Sequence, residues 1–131
     1  QGTVDLSGSK NSSLAILAAT LLVAKGVCTL RNVPHISDVD TMCEMLAALG
    51  ATVKRDDHTV TVNAENLSTH IAPNELVRKM RASFYVAAPL LARLRKAEVP
   101  LPGGCVLSAS RPVNYHTDAF QKMGADITVH H

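Results

Sequence analysis

Apolar positions in this chain fall into a pattern that is stated twice. Leu14, Ile16, Leu17, Leu21, Leu22 and Val23 are spread nearly all round a helical wheel. They predict a buried helix from Lys10 to about Lys25, with Ser9 as N-cap and Gly26 as a left-handed stop. Val27 to Arg31 reads as a strand. Ser37 followed three residues later by Asp40 has the form of a capping box. Met42, Met45, Leu46 and Leu49 then recur at i, i+3, i+4 and i+7, an amphipathic helix that Gly50 ends. Alternation in Thr52, Val53, Lys54 and again in Thr59, Val60, Thr61, Val62, about Asp56 and Asp57, predicts a hairpin. A third helix opens near Pro73 and Asn74 with Met80, Phe84, Ala87, Ala88 and Leu91 on one face, and Pro89 should kink or restart it. Val99 to Leu101 reads as a short strand entering Pro102, Gly103 and Gly104. A last helix from about Asn114 turns Phe120 and Met123 inward and stops at Gly124.

The order helix, strand, polar segment, helix, Gly-Ala turn runs once from Lys10 to Ala51 and again from Arg81 to Ala125. The two Gly-Ala turns lie 74 residues apart and the two basic residues 71 apart. A period of that size repeats a whole supersecondary unit, not a short solenoid motif. The expected architecture is α+β, with helices inside and sheets outside, in two units of about 1–65 and 66–131. The chain opens in what reads as a strand, Gly2 to Leu6, and stops in another, Ile127 to His131, so the sequence reads as a piece of something longer.

Composition narrows the function classes. A net charge of +2 is too small to point to nucleic acid or a membrane surface. Phe84, Tyr85, Tyr115 and Phe120 are the only aromatics, too few for base-stacking platforms. Cys28, Cys43 and Cys105 are odd in number and lack C-x-x-C spacing, which argues against a disulfide framework or a zinc site and fits a reducing cytoplasm. The six histidines show no ligand spacing. The longest apolar run, Leu14 to Ala24, is interrupted by Thr20 and is shorter than the ~20 residues a membrane span needs. A soluble cytoplasmic protein is expected.

Exposed residues that differ between the two copies are where chemistry would sit. Lys10 stands just inside a helix N-terminus, where the macrodipole disfavours a cation. It is either a solvated lysine or one half of an anion site, since free N–H groups and an ammonium converge there. Cys105 follows two glycines in a stretch poor in large apolar anchors and near Arg111, which suits either a low-pKa thiol or an inert one; Cys28 and Cys43, in a strand and a helix, read as core. Arg81, mid-helix beside Met80, Ala82 and Phe84, needs a partner on a half-buried face, and a phosphate would supply one. Arg93, Arg95 and Lys96 read as a surface cluster. Asp38 and Asp40 read as cap and first-turn carboxylates.

Gly8, Ser9, Lys10 and Asn11, then Asn32, Val33 and Pro34, then Asp38 to Thr41, then Met80 to Ser83, then Leu101 to Cys105 followed by Arg111, Pro112 and Val113 closely resemble, in order and spacing, the N-terminal part of the UDP-N-acetylglucosamine enolpyruvyl transferases. The resemblance spans the whole chain. It implies the inside-out α/β barrel built of βαβαββ-type units, of which this chain would hold about two, the second domain being absent. It implies transfer of the enolpyruvyl group of phosphoenolpyruvate to the 3-hydroxyl of UDP-N-acetylglucosamine by addition and elimination, the first committed step of peptidoglycan precursor synthesis. Neither a metal nor an organic cofactor is implied. By resemblance Lys10 and Arg111 bind phosphate, Asn11 and Arg81 contact the nucleotide sugar, Pro112, Val113, Asn114 and Tyr115 line the uridine pocket, and Cys105 is the mobile-loop general acid. The partners would be the two substrates and the remainder of the enzyme, without which the chain is expected to be inactive. The related shikimate-pathway enzymes carry Ser after the helix-opening Lys and lack the Cys loop, so Asn11 and Cys105 favour the cell-wall reaction. Antibiotic-pathway relatives and a non-catalytic binding module built on the same repeat are the alternatives. Two positions depart from the family pattern: one extra residue separates Cys105 from Arg111, and Asn114 stands where Asp is common.

Overall fold

A computed structural model describes residues 1–4, 6–101 and 113–129. Five α-helices and three strands are formed among them: α1 Lys10–Ala19, β1 Cys28–Leu30, α2 Ser37–Ala48, β2 Thr52–Asp56, β3 Thr59–Asn63, α3 Asn74–Lys79, α4 Ala87–Leu94 and α5 Asn114–Lys122. Two 3-10 segments, Thr20–Leu22 and Arg81–Val86, extend α1 and lead into α4. No helix among the described residues is long and apolar enough to cross a membrane.

The hairpin forms where alternation predicts it. Asp56 pairs with Thr59, leaving Asp57 and His58 as a two-residue turn with Asp57 at φ 46°, a conformation that Asp tolerates better than most residues. β1 joins the far edge of β3, pairing Cys28 with Val62, so the antiparallel order is β1-β3-β2. Val60 and Val62 point from β3 into the core. There they join Leu14, Leu17 and Leu21 from the first helix and Val39, Met42, Met45, Leu46 and Leu49 from α2. Val77, Val86 and Leu90 close the cluster from the second half of the chain.

The two Gly-Ala turns are the same object. After α2, Gly50 N–H donates to the Ala47 carbonyl and Ala51 N–H to that of Leu46, each at 3.0 Å. After α5, Gly124 N–H donates to Gln121 and Ala125 N–H to Phe120, each at 2.9 Å. Both glycines have positive φ, 105° and 93°, and the paired bonds define a Schellman motif in each case. Their surroundings differ. A Cβ on Gly50 would meet the Ser68 backbone nitrogen at 2.5 Å, whereas one on Gly124 would meet nothing within 4 Å.

Several elements depart from the pattern-based expectation. The first helix is not buried all round: Leu14, Leu17, Ala18 and Leu21 are covered, but Ile16 is 53% exposed, and regular α-helix stops at Ala19, well before Lys25. Ile36, not Ser37, is the N-cap of α2 and no side chain caps it, because Asp38 and Asp40 turn outward to cations. The third helix breaks at Met80, whose extended backbone (φ −148°, ψ 126°) separates α3 from the 3-10 turn. Pro89 causes no break; it sits in the first turn of α4, where its missing N–H is not needed. Strands are not formed at 2–4, 99–101 or 127–129. Near the second of these only a single parallel bridge, Ile71 to Glu98, is made, since Pro100 withholds the donor a longer ladder would use. Met123 is 84% exposed and Phe120 only half-buried.

Arg93 is not a surface residue of a basic cluster. Its guanidinium reaches from α4 to the carbonyls of Leu21 (2.8 Å) and Val23 (3.2 Å), at the end of the first helix, and of Ala64 (3.0 Å), just past β3. The last carbonyls of a helix lack intrahelical partners and attract cations. Replacing Arg93 by Met should therefore lower stability by about 2 kcal/mol in urea unfolding, against less than about 0.5 kcal/mol for Arg78→Met at the exposed end of α3.

Glu98 ties together two segments of the second half, pairing with Lys96 beside it and with His70. Its carboxylate is held below the ordinary range, chiefly by the Lys96 ammonium at 2.8 Å and next by His70. A carboxyl whose folded pKa is depressed contributes stability above its unfolded value of about 4.3, and that contribution fades as pH falls through the lower folded value. The stability difference between the parent chain and Glu98→Gln should accordingly shrink as pH falls below about 4.

Candidate functional site

The resemblance-derived residues that lie among those described all stand at helix starts. Lys10 is the first residue of α1 and Asn11 the second, Arg81 the first of the 3-10 turn, and Asn114 and Tyr115 the first two of α5, with Val113 as its N-cap. Cys105, Arg111 and Pro112, with Pro102 to Gly104, lie outside the described residues.

Ser9 is extended (φ −70°, ψ 130°), and its carbonyl takes the first intrahelical bond from Ser13 at 3.0 Å, without a side-chain cap or an acidic residue in the first turn. The helix therefore offers its N–H groups with no anion of its own. Lys10 reaches across to the first turn of α2, where its Nζ lies 2.9 Å from Asp38 Oδ2, the two side chains being 54% and 32% exposed. Asn11 is exposed beside it. The pairing explains how a cation is tolerated at this N-terminus: Asp38 is at once the counter-ion of Lys10 and an acidic residue in the positive first turn of α2.

Arg81 sits at the start of its turn and is exposed, rather than mid-helix on a half-buried face. The break at Met80 puts it there. Ser83, fully buried, donates to the Leu76 carbonyl at 3.3 Å and ties the turn back to α3. The other side of the turn meets α5 through Phe84, edge-on to His116 with centroids 5.6 Å apart. Tyr115 is 82% exposed. No hydrogen bond links Lys10, Asn11, Arg81, Asn114 and Tyr115 to one another among the described residues.

Two further features were not legible in the sequence. Arg55, on β2, makes an ion pair with Asp40 and donates to the Pro34 carbonyl at 3.0 Å and to His35 Nδ1 at 3.1 Å, which fixes the loop entering α2. The histidines, unremarkable in spacing, include a group: donor atoms of His35, Asp57 and His58 all lie within 4.8 Å of one another. The hairpin pattern places Asp57 and His58 at a turn, but nothing in it reveals that His35 comes alongside. Cys28 and Cys43 are half-buried, in β1 and α2. Burial pushes the Cys43 thiol above its usual range, with Arg55 opposing and Asp40 and Glu44 assisting, so it is a poor nucleophile at neutral pH.

The sequence matches the EPSP synthase (3-phosphoshikimate 1-carboxyvinyltransferase) family over residues 1–131, and the chain belongs to that family. Among curated proteins it is 47% identical over 131 residues to the UDP-N-acetylglucosamine 1-carboxyvinyltransferase of Synechocystis sp., covering all of this chain and 30% of that protein. It is 48% identical over 130 residues to the enzyme of that name from Desulfosudis oleivorans, covering 99% of this chain and 31% of the relative. The chain thus spans about three-tenths of the length of these relatives. Among solved structures it is similar to the enolpyruvyl transferase NikO from Streptomyces tendae, at a TM-score of 0.65 and 28% identity over 71% of this chain and 22% of that one. The α+β fold with its small antiparallel sheet is the fold expected of such a portion.

Lys10 depends on the path of the chain just before it. A Cβ on Gly8 would stand 1.9 Å from the Asn32 carbonyl oxygen. Gly8→Ala should force the two segments apart and cost about 1–3 kcal/mol, while Gly2→Ala, which meets nothing within 4 Å, should leave the urea midpoint unchanged.

Proposed function

We propose that this chain forms part of an enolpyruvyl transferase that joins phosphoenolpyruvate to the 3-hydroxyl of UDP-N-acetylglucosamine, in the cytoplasm, at the entry to peptidoglycan precursor synthesis. The observation that carries the reading is identity of 47–48% along essentially the whole chain to enzymes named for that reaction. Asn11 and Cys105, by resemblance, favour it over the shikimate-pathway reaction for which the matched family is named.

The proposed chemistry balances in two steps. The sugar oxygen bonds to the phosphate-bearing carbon of phosphoenolpyruvate while the methylene carbon takes a proton from Cys105; then that methyl group loses a proton and phosphate departs. Lys10, at an uncapped helix N-terminus, and Arg111 would neutralise the phosphate through both steps. Arg81 and Asn11 would hold the nucleotide sugar, and the segment from Pro112 to Tyr115 its uridine end. Asp38 would act as a positioning residue, holding the Lys10 ammonium over the α1 terminus until phosphate takes its place as counter-ion. The base for the sugar hydroxyl would come from the rest of the enzyme. The two units, about 1–65 and 66–131, would be successive repeats of the family fold, in keeping with the paired Schellman motifs.

The test is phosphate release from phosphoenolpyruvate by the complete polypeptide. UDP-N-acetylglucosamine should support it and 3-phosphoshikimate should not, and Lys10→Ala should lower kcat/KM by about 10²-fold or more. Turnover with 3-phosphoshikimate alone would move the assignment to the shikimate reaction. This chain on its own should turn over neither acceptor; release at an ordinary enzymatic rate would overturn the assignment of the base to the remainder.

A further inference from the structure

The loop that enters α2 and the tip of the hairpin are locked together by reciprocal bonds. Val33 N–H donates to the His58 carbonyl at 2.8 Å, and His58 Nδ1–H donates to the Val33 carbonyl at 2.9 Å. A carbonyl can only accept, so the neutral His58 ring has its proton on Nδ1 and an unshared pair on Nε2. That Nε2 lies 3.8 Å from Asp57 Oδ1. A lone pair and a carboxylate oxygen facing each other at this distance, with no hydrogen between them, are two acceptors waiting for a cation. His35 Nε2 comes to the same carboxylate oxygen at 3.0 Å, and the two imidazoles meet edge to face with centroids 4.5 Å apart.

We propose that His35, Asp57 and His58 form a binding site for a divalent transition-metal ion of the zinc, nickel or copper type. An ion with bonds of about 2.1 Å in tetrahedral geometry sets its ligand atoms about 3.4 Å apart. The separations of 3.0 and 3.8 Å from Asp57 Oδ1 to the two imidazoles bracket that value, and the three donor atoms all lie within 4.8 Å of one another. Two imidazoles and one carboxylate suit borderline ions rather than calcium or magnesium. The scaffold is fixed: two ligands ride on a two-residue turn set by the β2–β3 ladder, and the third on a loop bonded to it. The hydrogen bond from His58 Nδ1 to a backbone carbonyl is the support that commonly fixes a metal-binding imidazole.

The other charges facing the site come from Arg55 and Asp40. Arg55 donates to His35 Nδ1 at 3.1 Å, which puts the neutral His35 proton on Nε2. When the ion binds Nε2, that proton moves to Nδ1 and the guanidinium leaves the ring, keeping its bonds to Asp40 and the Pro34 carbonyl. Asp40 offsets the Arg55 charge, so the ion meets a region close to neutral apart from the Asp57 carboxylate. A bound ion would pin the 32–36 loop to the hairpin and so stiffen the entry to α2, whose first turn carries Asp38.

Calorimetric titration of Ni²⁺ into the chain, with His130 and His131 changed to Gln to remove a competing adjacent pair, tests the site. One equivalent should bind saturably with a Kd below about 100 μM. Asp57→Asn, which keeps a residue that accepts the left-handed turn, should weaken binding at least about tenfold, as should His35→Asn. His70→Gln and His116→Gln should not change it. Absence of saturable binding up to about 1 mM, or unchanged affinity in Asp57→Asn, would overturn the proposal.

Discussion

The fold depends on one cation placed where helix carbonyls run out of partners. The apolar first helix ends in a 3-10 turn whose final carbonyls, Leu21 and Val23, have no further turn to bond to. Arg93 arrives from α4, some seventy residues later in sequence, and satisfies both together with the carbonyl of Ala64 beyond β3. The end of the first helix, the end of the hairpin and the second half of the chain are thereby fixed at a single guanidinium. Leu21, Val86 and Leu90 are buried in the same apolar cluster, whose attraction is non-directional. The guanidinium adds direction, because a planar donor with fixed N–H directions satisfies carbonyls in only a few orientations.

A second constraint runs through the opposite end of the same helix. A lysine at an N-terminus opposes the macrodipole, a cost of a few tenths to about 1 kcal/mol. Here the cost is offset by Asp38, which is itself favourably placed in the first turn of α2. One ion pair therefore relieves an unfavourable charge on α1 and uses a favourable one on α2, and holds the two helix starts face to face. Gly8 makes the approach possible, since any side chain there would collide with the Asn32 carbonyl.

How much of this was legible beforehand divides by interaction range. Periodicity located α2, the hairpin and the start of α5, because each is decided by neighbours within a few residues. The Gly-Ala repeat proved to be a repeated hydrogen-bond motif for the same reason. The break at Met80 was misplaced to Pro89: proline's effect depends on whether its absent N–H is needed, and in a first turn it is not. The strands expected from Gly2 to Leu6 and from Ile127 to His131 find no pairing partner among the described residues, and a local pattern cannot supply one. Arg93, Arg55 and His35 were invisible as partners, since each acts across about 15 residues or more, largely through backbone carbonyls or ring nitrogens that carry no sequence signature. Of the site, the helix-start positions of Lys10 and Asn11 were readable from residue type and spacing, whereas their relation to Asp38 was not.

The Lys10–Asp38 pair also bears on how an anion would be held. A free lysine over a helix N-terminus would bind phosphate strongly at all times, and strong ground-state binding does nothing for a chemical step. With Asp38 as a standing partner, an incoming phosphate must replace one carboxylate contact to gain the ammonium, while the α1 N–H groups remain available throughout. In the proposed reaction the ammonium would then be divided between a fixed carboxylate and a substrate whose charge grows as phosphate departs. Its contribution would be smaller in the ground state and larger where charge develops, which is the direction in which an electrostatic group accelerates a reaction instead of merely tightening a complex.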